Sequence, residues 1–336
     1  LTRFWESPCR PWFLVLPRSG DPIAVIPSIG AALMARSWIT DIRCWRAPDL
    51  EDDGISLLAE TLRALGPSIG TPSGLQSHLR MPLNDFARLN AALPQPIGAD
   101  FDILRSLRLV KSEAEIEKIK TACQIATRAF ARVPEIASMG QPLAQVFRDF
   151  QRLCLDEGAD WVPYLAGAAA PGGYGDVISP ADDRPLAAGD ILMLDTGLVN
   201  DGYFCDFDRN FSVGRPSADV AEGHSRLIEA TYAAFEAARP GSTAAELFHV
   251  MDKIVTGGAG GSEAGRYGHG LGMNLTEWPS LIPTDHTPLV SGMVLTLEPG
   301  IELAPGRALV HEENIVIREN GAEWLSQPYG AEMLEF

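Results

Sequence analysis

Apolar and polar positions follow two different rhythms along this chain. Short β-type runs come first: "PWFLVLP" at 11–17 and "PIAVIPS" at 22–28, parted by the turn "RSGD". The spacing then turns helical. "DDGISLLAETLRALG" predicts an amphipathic helix ending at Gly66, and "LNDFARLNAAL" predicts another. "PQPIGAD" at 94–100 reads as a linker. A long helix is expected from "RLVKSEAEIEKIKTACQIATRAFARV", where Ser112 and Glu115 form a capping-box pattern. Ile116, Ile119, Ala122, Cys123 and Ala126 give it one apolar stripe. "PLAQVFRDFQRLCLDEG" continues as a helix, and the intervening "DWVPYLAGAAAPGGYGD" reads as a loop bordering a cleft.

From about residue 187 the period becomes that of strands. "GDILMLDTGLV" and "GYFCDFDRNFSVG" predict a hairpin. Helices return at "SADVAEGHSRLIEATYAAFEAARPG" and "TAAELFHVMDKIV", and "GMVLTLEPGIEL" and "ALVHEENIVIREN" predict two closing strands. Apart from the glycine-rich "TGGAGGSEAG" there is no low-complexity tract or internal repeat. Antiparallel strands with helices grouped on one side make an α+β fold, and the break at 105–110 divides the chain into domains at 1–107 and 108–336.

Composition narrows the partners. With 336 residues and 46% hydrophobic content, the chain is globular and long enough for two domains. A net charge of −17, from 44 acids against 27 bases, disfavours nucleic acid and anionic membranes. No apolar run reaches the ~18 residues of a membrane span, and "LTRFWESP" does not read as a signal peptide. Because it lacks a Met, the opening reads as incomplete. Five cysteines at 9, 44, 123, 154 and 205, none in C-x-x-C spacing, read as reduced thiols of a cytoplasmic protein.

The acid excess raises the question of clustered carboxylates. Asp195 closes the apolar run Ile191–Leu194, where a lone carboxylate is costly; taken alone it equally reads as a turn cap. Asp206 follows eleven residues later, so a hairpin can set the two face to face. Two close carboxylates repel unless a cation or proton lies between them. Asp208 falls on the Asp206 face, and Arg209 on the other. Glu298 ends "MVLTLEPG" on the face of Val294 and Thr296. Glu312 and Glu313 must face opposite ways, and the period does not choose between them. His269 stands between glycines in "GHGLGMNLTEWPS". Four carboxylates and one imidazole suit Mn, Fe, Co or Zn, and such a set can bridge two metals that activate a shared water.

The ordered pattern of Asp195, Asp206, His269 in Gly-His-Gly, Glu298 in "LEPG" and Glu312 in the last strand resembles the pita-bread metallopeptidases. That superfamily holds methionine aminopeptidase, aminopeptidase P, prolidase and creatinase. The resemblance covers about residues 110–330, with "RLVKSEAEI" and "RENGAEWLS" similar to the domain's entry and exit. Residues 1–107 resemble a smaller α/β creatinase/prolidase-type N-terminal domain, incomplete at its start. This favours the aminopeptidase P/prolidase/creatinase branch. The resemblance implies two divalent ions, manganese foremost, with Asp206 and Glu312 bridging them. It implies Asp195 on one ion, His269 and Glu298 on the other, and Glu298 as base for the water. It selects Glu312 over Glu313. It also implies a homodimer, in which Trp5 and Trp12 either reach a partner's site or belong to the core.

The departures concern substrate. Proline-specific members carry a second His seven residues after the ligand His, and Thr276 stands there. They carry another seventeen residues before the first Asp, where Ile178 stands. A Thr two residues after the second Asp is replaced by Asp208. Thr276, Asp208 and Trp278 are therefore the expected substrate contacts. Three readings follow. One is a dinuclear hydrolase of the Xaa-Pro dipeptidase/aminopeptidase P type. A second is an osmolyte hydrolase or dimethylsulfoniopropionate lyase-like enzyme acting on a small zwitterion. The third is a non-catalytic binding module.

Overall fold

The computed structural model describes residues 10–75, 77–178, 180–259 and 265–336. Trp5, Cys9 and residues 260–264 of the glycine-rich tract lie outside them. The chain divides into two compact units, Leu1–Ser106 and Leu107–Phe336.

In the first unit, β1 (Phe13–Val15) runs antiparallel to β2 (Ile23–Pro27). A short helix, α1 (Ala31–Met34), leads to β3 (Asp41–Trp45), which lies parallel to β2. Helix α2 (Ile55–Leu65) starts where Asp52 accepts the N–H groups of Ile55 and Ser56, both at 3.0 Å, and stops at Gly66. Strand β4 (Gly70–Thr71) and helix α3 (Leu83–Ala92) follow. The expected linker at 94–100 instead contributes β5 (Gly98–Ala99), paired parallel with β4, because its backbone groups find a neighbour there. Val25, Trp45, Leu58, Leu62 and Leu89 form the core of this α/β unit. Trp12 packs beside Ala24, Ile26, Met34 and Ile39, which makes it a core side chain.

Helix α4 (Ile103–Leu109) carries the chain into the second unit. Helix α5 (Glu113–Ala131) begins with the expected capping box: Ser112 N–H donates to Glu115 Oε2 at 2.8 Å. All five residues of its predicted stripe are buried. Helix α6 (Leu143–Asp156) buries Val146, Phe147, Phe150, Leu153 and Cys154 at helical spacing.

The segment read as a cleft loop is instead an eleven-residue strand, β6 (Trp161–Pro171). Its glycines and alanines let it lie close along β7 (Asp190–Asn200), where a Cβ at Gly167 would stand 2.2 Å from Met193 O. The predicted hairpin partner of β7 is broken in two, β8 (Tyr203–Phe204) and β9 (Phe207–Ser212). Register places Asp195 opposite Asp208, not Asp206.

Helices α7 (Ala218–Ala237) and α8 (Ala244–Val255) follow, then β10 (His269–Gly270) and β11 (Glu277–Ser280). Each of the two closing strands also divides. The first gives β12 (Val294–Leu297) and β13 (Gly300–Ala304), and the second gives β14 (Arg307–Val310) and β15 (Glu313–Arg318). The breaks fall at Glu298 and Glu312. Strands β16 (Gly321–Trp324) and β17 (Leu334–Glu335) end the chain.

One sheet has the order β17-β9-β7-β6 and the other β11-β10-β12-β15-β16, with β13-β14 as a separate ribbon. The central strands are apolar on both faces. Leu192, Leu194, Val294 and Val316 join the core under α5 and α6. Ile191, Met193, Leu295, Ile315 and Ile317 join the core under α7 and α8. The helices therefore cover both faces rather than one side, since each central strand exposes apolar side chains both ways.

The chain after His269 is tied down by a buried ion cluster. Glu277 accepts from Lys111 Nζ at 3.0 Å and from Arg108, and takes the Asn274 N–H at 3.1 Å. Burial works against its charge, yet Lys111 and Arg108 hold the Glu277 carboxyl below its usual range. Burial also pulls the Lys111 ammonium below its ordinary value, so the pair gains less than its separation suggests. Lys111→Met is expected to cost about 3 kcal/mol by leaving the buried carboxylate to Arg108 alone among its cations. Adding Glu277→Leu should recover part of the thermal midpoint, as followed by circular dichroism. A single variant as stable as wild type would contradict the pairing.

Candidate metal centre

The strand breaks in both sheets deliver side chains to one place. Asp195 sits within β7; Asp206 lies between β8 and β9; His269 opens β10; Glu298 and Glu312 stand one residue beyond the β12–β15 pair Leu297↔Glu313. One ligand atom each from Asp206, His269 and Glu312 fall within 4.8 Å of one another. All three are buried, at 4%, 2% and 4% exposure.

His269 is oriented by its surroundings. Its N–H donates to Thr296 Oγ1 at 3.0 Å, and its Nδ1 lies 2.8 Å from Gly270 O. A carbonyl at that distance calls for the proton on Nδ1, so in the neutral imidazole Nε2 carries the lone pair. Nε2 lies 3.4 Å from Asp206 Oδ2 and 3.9 Å from Glu298 Oε2. The flanking glycines allow this. Gly268 has φ of 148°, and a Cβ there would stand 2.3 Å from Thr296 O; one on Gly270 would stand 2.2 Å from Trp278 O.

The carboxylates are short of partners. Asp195 Oδ2 accepts from Tyr164 Oη at 3.0 Å, but Asp195 Oδ1, Asp206 Oδ1 and Glu312 Oε1 are buried with none. Burial, and then the Asp206 and Asp208 carboxylates, push Asp195 well above its usual range. Burial and then Asp206 do the same to Glu312. Burial raises Asp206 to about 6, against the pull of His269. Burial works against the His269 cation, but Glu298 and Asp206 raise it overall. Orphaned oxygens, mutual repulsion and one imidazole lone pair are what a divalent cation would satisfy, so the donor set fits one.

The other expected residues are placed differently. Glu298 keeps 22% of its side chain exposed and accepts from Arg266 Nε at 3.2 Å. Glu313 turns away from the cluster to Arg209 at 3.0 Å and to Ser326, which leaves Glu312 as the inward member. Asp208, expected to meet substrate, is only 1% exposed; its Oδ1 accepts the Glu312 N–H at 3.0 Å and its Oδ2 is buried. Its Oδ1 is thus committed to the protein backbone, unlike the open substrate contact the sequence led one to expect. Thr276 is half-buried just before β11. Trp278 is half-buried on β11, with its indole N–H donating to Thr287 Oγ1 at 3.1 Å. Ile178 is 75% exposed.

Sequence reasoning missed Tyr164, Arg266 and His311. Tyr164 was hidden because its strand read as a loop. The run of eleven uncharged residues from Trp161 to Pro171 was the available signal. His311 lies between Asp208 Oδ1 at 3.6 Å and Glu313 Oε1 at 3.4 Å; alternation sets it on the face of Glu313, but no spacing announces its meeting with Asp208.

Comparison with known proteins identifies the family. The model of Metallopeptidase family M24 matches residues 117–319. The probable dipeptidase PepE of Mycobacterium tuberculosis is 34% identical over 313 residues, covering 92% of this chain and 81% of that protein. The Xaa-Pro dipeptidase of Pyrococcus furiosus is 32% identical over 229 residues, covering 67% of this chain and 65% of its own. The crystal structure of dipeptidase PepE from Mycobacterium ulcerans superposes with a TM-score of 0.82 at 32% identity, covering 96% of this chain and 86% of that one.

Two outcomes test the site. Gly268→Ala is expected to destabilise by about 1–3 kcal/mol through strain at positive φ, read as a lowered thermal midpoint; an unchanged midpoint would count against the tight backbone approach. The second concerns protons. A carboxyl raised in the folded state holds a proton that the unfolded chain has released, so its contribution to stability falls as pH rises. In chelated protein, Asp206→Asn should therefore gain on wild type between about pH 4 and 7, by on the order of 3 kcal/mol. A pH-independent gap in urea titrations would show that Asp206 is not so crowded.

Proposed function

This chain belongs to metallopeptidase family M24, and on that premise we propose that it is an Xaa-Pro dipeptidase using two divalent ions, manganese foremost over iron, cobalt and zinc. The convergence of Asp206, His269 and Glu312 with orphaned oxygens carries the reading. Residues 108–336 would be the catalytic domain and 1–107 the N-terminal domain. Four free cysteines among the described residues support a reducing cytoplasm. A homodimer is proposed from the family resemblance alone. Among the described residues no helix is long and apolar enough to cross a membrane.

Asp195, Asp206, His269, Glu298 and Glu312 would hold the ions. Bound divalent ions supply Lewis acidity toward the amide carbonyl and acidify water at neutral pH. The chain's own groups do the remainder. Thr296 Oγ1 anchors the His269 backbone N–H and Gly270 O holds the imidazole at Nδ1, so that Nε2 faces the carboxylates. Arg266 takes up Glu298 Oε1, so Oε2, 3.9 Å from His269 Nε2, is the oxygen that Glu298 presents to the cluster, and Glu298 is the candidate proton acceptor there. Thr276 offers a hydroxyl where proline-specific relatives offer imidazole, so it donates a hydrogen bond without titrating near neutral pH. Trp278, pinned through its N–H, offers an indole surface beside it.

Relatives described as dipeptidase and Xaa-Pro dipeptidase favour peptide over the osmolyte reading, and intact candidate ligands speak against a non-catalytic module. Protein stripped with chelator and reloaded with Mn2+ or Co2+ is expected to release proline from Xaa-Pro dipeptides faster than from tripeptides. Glu298→Gln should lower kcat by about 10²–10⁴-fold. Metal-loaded protein inert across a broad Xaa-Pro panel, or active only on zwitterionic osmolytes, would overturn the assignment.

A further inference from the structure

Asp206 and Glu312, the two carboxylates expected between the ions, share a structural problem. Each stands just outside a strand, where its outward backbone N–H and C=O lack a ladder partner. Side chains solve it in both cases. For Asp206 the solution is Asn314, fully buried: its Oδ1 accepts the Asp206 N–H at 3.0 Å and its Nδ2 donates to Asp206 O. For Glu312 it is Asp208 and its neighbour: Asp208 Oδ1 accepts the Glu312 N–H at 3.0 Å and Arg209 Nη1 donates to Glu312 O at 3.2 Å. Asn314 is two residues after Glu312, and Asp208 is two residues after Asp206.

We propose that Asp208 and Asn314 are reciprocal positioning residues: each follows one candidate ligand by two residues and clamps the backbone of the other. The proposal rests on the metal reading above. The spacing of Asp206 and Glu312 is then set by hydrogen bonds across the two strand starts, before any ion arrives. Repulsion among four carboxylates would otherwise spread these strand ends in the metal-free chain. Preorganised ligands bind tighter because less ordering remains to be done on binding.

The surroundings fit this role. Asp208 adds a negative charge beside a site already crowded with them, and that charge is balanced locally. His311 faces it at 3.6 Å, and Arg209, which donates to Asp208 O, pairs with Glu313 at 3.0 Å. Two basic groups thus stand against two acids behind the ligands. Asn314 is itself fixed: its N–H donates to Ser326 Oγ at 2.8 Å, and its Oδ1 also accepts from the Cys123 thiol at 3.2 Å. With its backbone anchored by Ser326 and its amide oxygen by Cys123, Asn314 transmits its position to Asp206 with little play.

The test is calorimetric titration of Mn2+ into the chelator-treated full-length chain, with circular dichroism confirming that each metal-free variant is folded. Asp208→Ala and Asn314→Ala are each expected to weaken Mn2+ binding by about 10–100-fold. Asp208→Asn keeps the acceptor oxygen and should stay within about threefold of wild type. Asn314→Asp keeps the acceptor but sets a carboxylate oxygen against Asp206 O, and should bind as weakly as Asn314→Ala. If the alanine variants do not fold, this last pair decides: Asp208→Asn retaining and Asn314→Asp losing affinity supports the clamp. Alanine variants with wild-type affinity, or Asp208→Asn as weak as Asp208→Ala, would overturn it. Wild-type protein taking up no Mn2+ would overturn the metal reading, and the clamp with it.

Discussion

Carboxylates brought within reach of one another repel, and this chain gathers Asp195, Asp206, Glu298 and Glu312 around the single imidazole of His269. Most of the second unit can be understood as the means of enforcing that crowding. Two sheets, apolar on both faces, are compressed between helix pairs, so the strand ends that carry the acids have little freedom to separate. Burial removes the water that would screen the repulsion. The protein alone offers too little positive charge to compensate, which is why buried oxygens remain without partners. A divalent cation is the counterpart that such a donor set fits.

Charge is managed in layers around this centre. Arg266 meets Glu298 on the exposed side. Behind the ligands, Arg209 and His311 balance Asp208 and Glu313. On the chain leaving His269, Lys111 and Arg108 balance Glu277. Each cation holds an acid that does not aim into the cluster, apart from Arg266 at its rim. The net charge of −17 is therefore not a uniform property of the chain. The buried acids Glu277 and Glu313 each meet a local cation, whereas Asp195 Oδ1, Asp206 Oδ1 and Glu312 Oε1 are left without a partner.

Much of this was legible in the residues. Helices with capping boxes and single apolar stripes emerged as read, because those signals are local. The candidate ligands stood out because Asp195, His269 and Glu298 each sit in a distinctive context of apolar run, paired glycines or Pro-Gly turn. Register was not. Asp195 lies opposite Asp208 because the strand partner breaks at Cys205–Asp206, and a break depends on the distant Asn314 taking over backbone bonds. The choice between Glu312 and Glu313 was invisible to period, since it is made by Arg209 and Ser326 from other strands. β6 escaped notice because its small residues look like loop until a neighbouring strand requires close approach. The role of Asp208 was misread for the same reason: spacing shows which way a side chain starts, not what it meets.

The central claim is that this cluster is built for two cations between Asp206 and Glu312, with His269 holding one of them. The most direct measurement is anomalous diffraction from crystals grown with Mn2+, recorded on either side of the manganese absorption edge. The account predicts two anomalous peaks per chain, flanked by the Asp206 and Glu312 carboxylates, with His269 Nε2 bonded to one. No peak at the cluster, or manganese bound elsewhere with His269 Nε2 free, would contradict it.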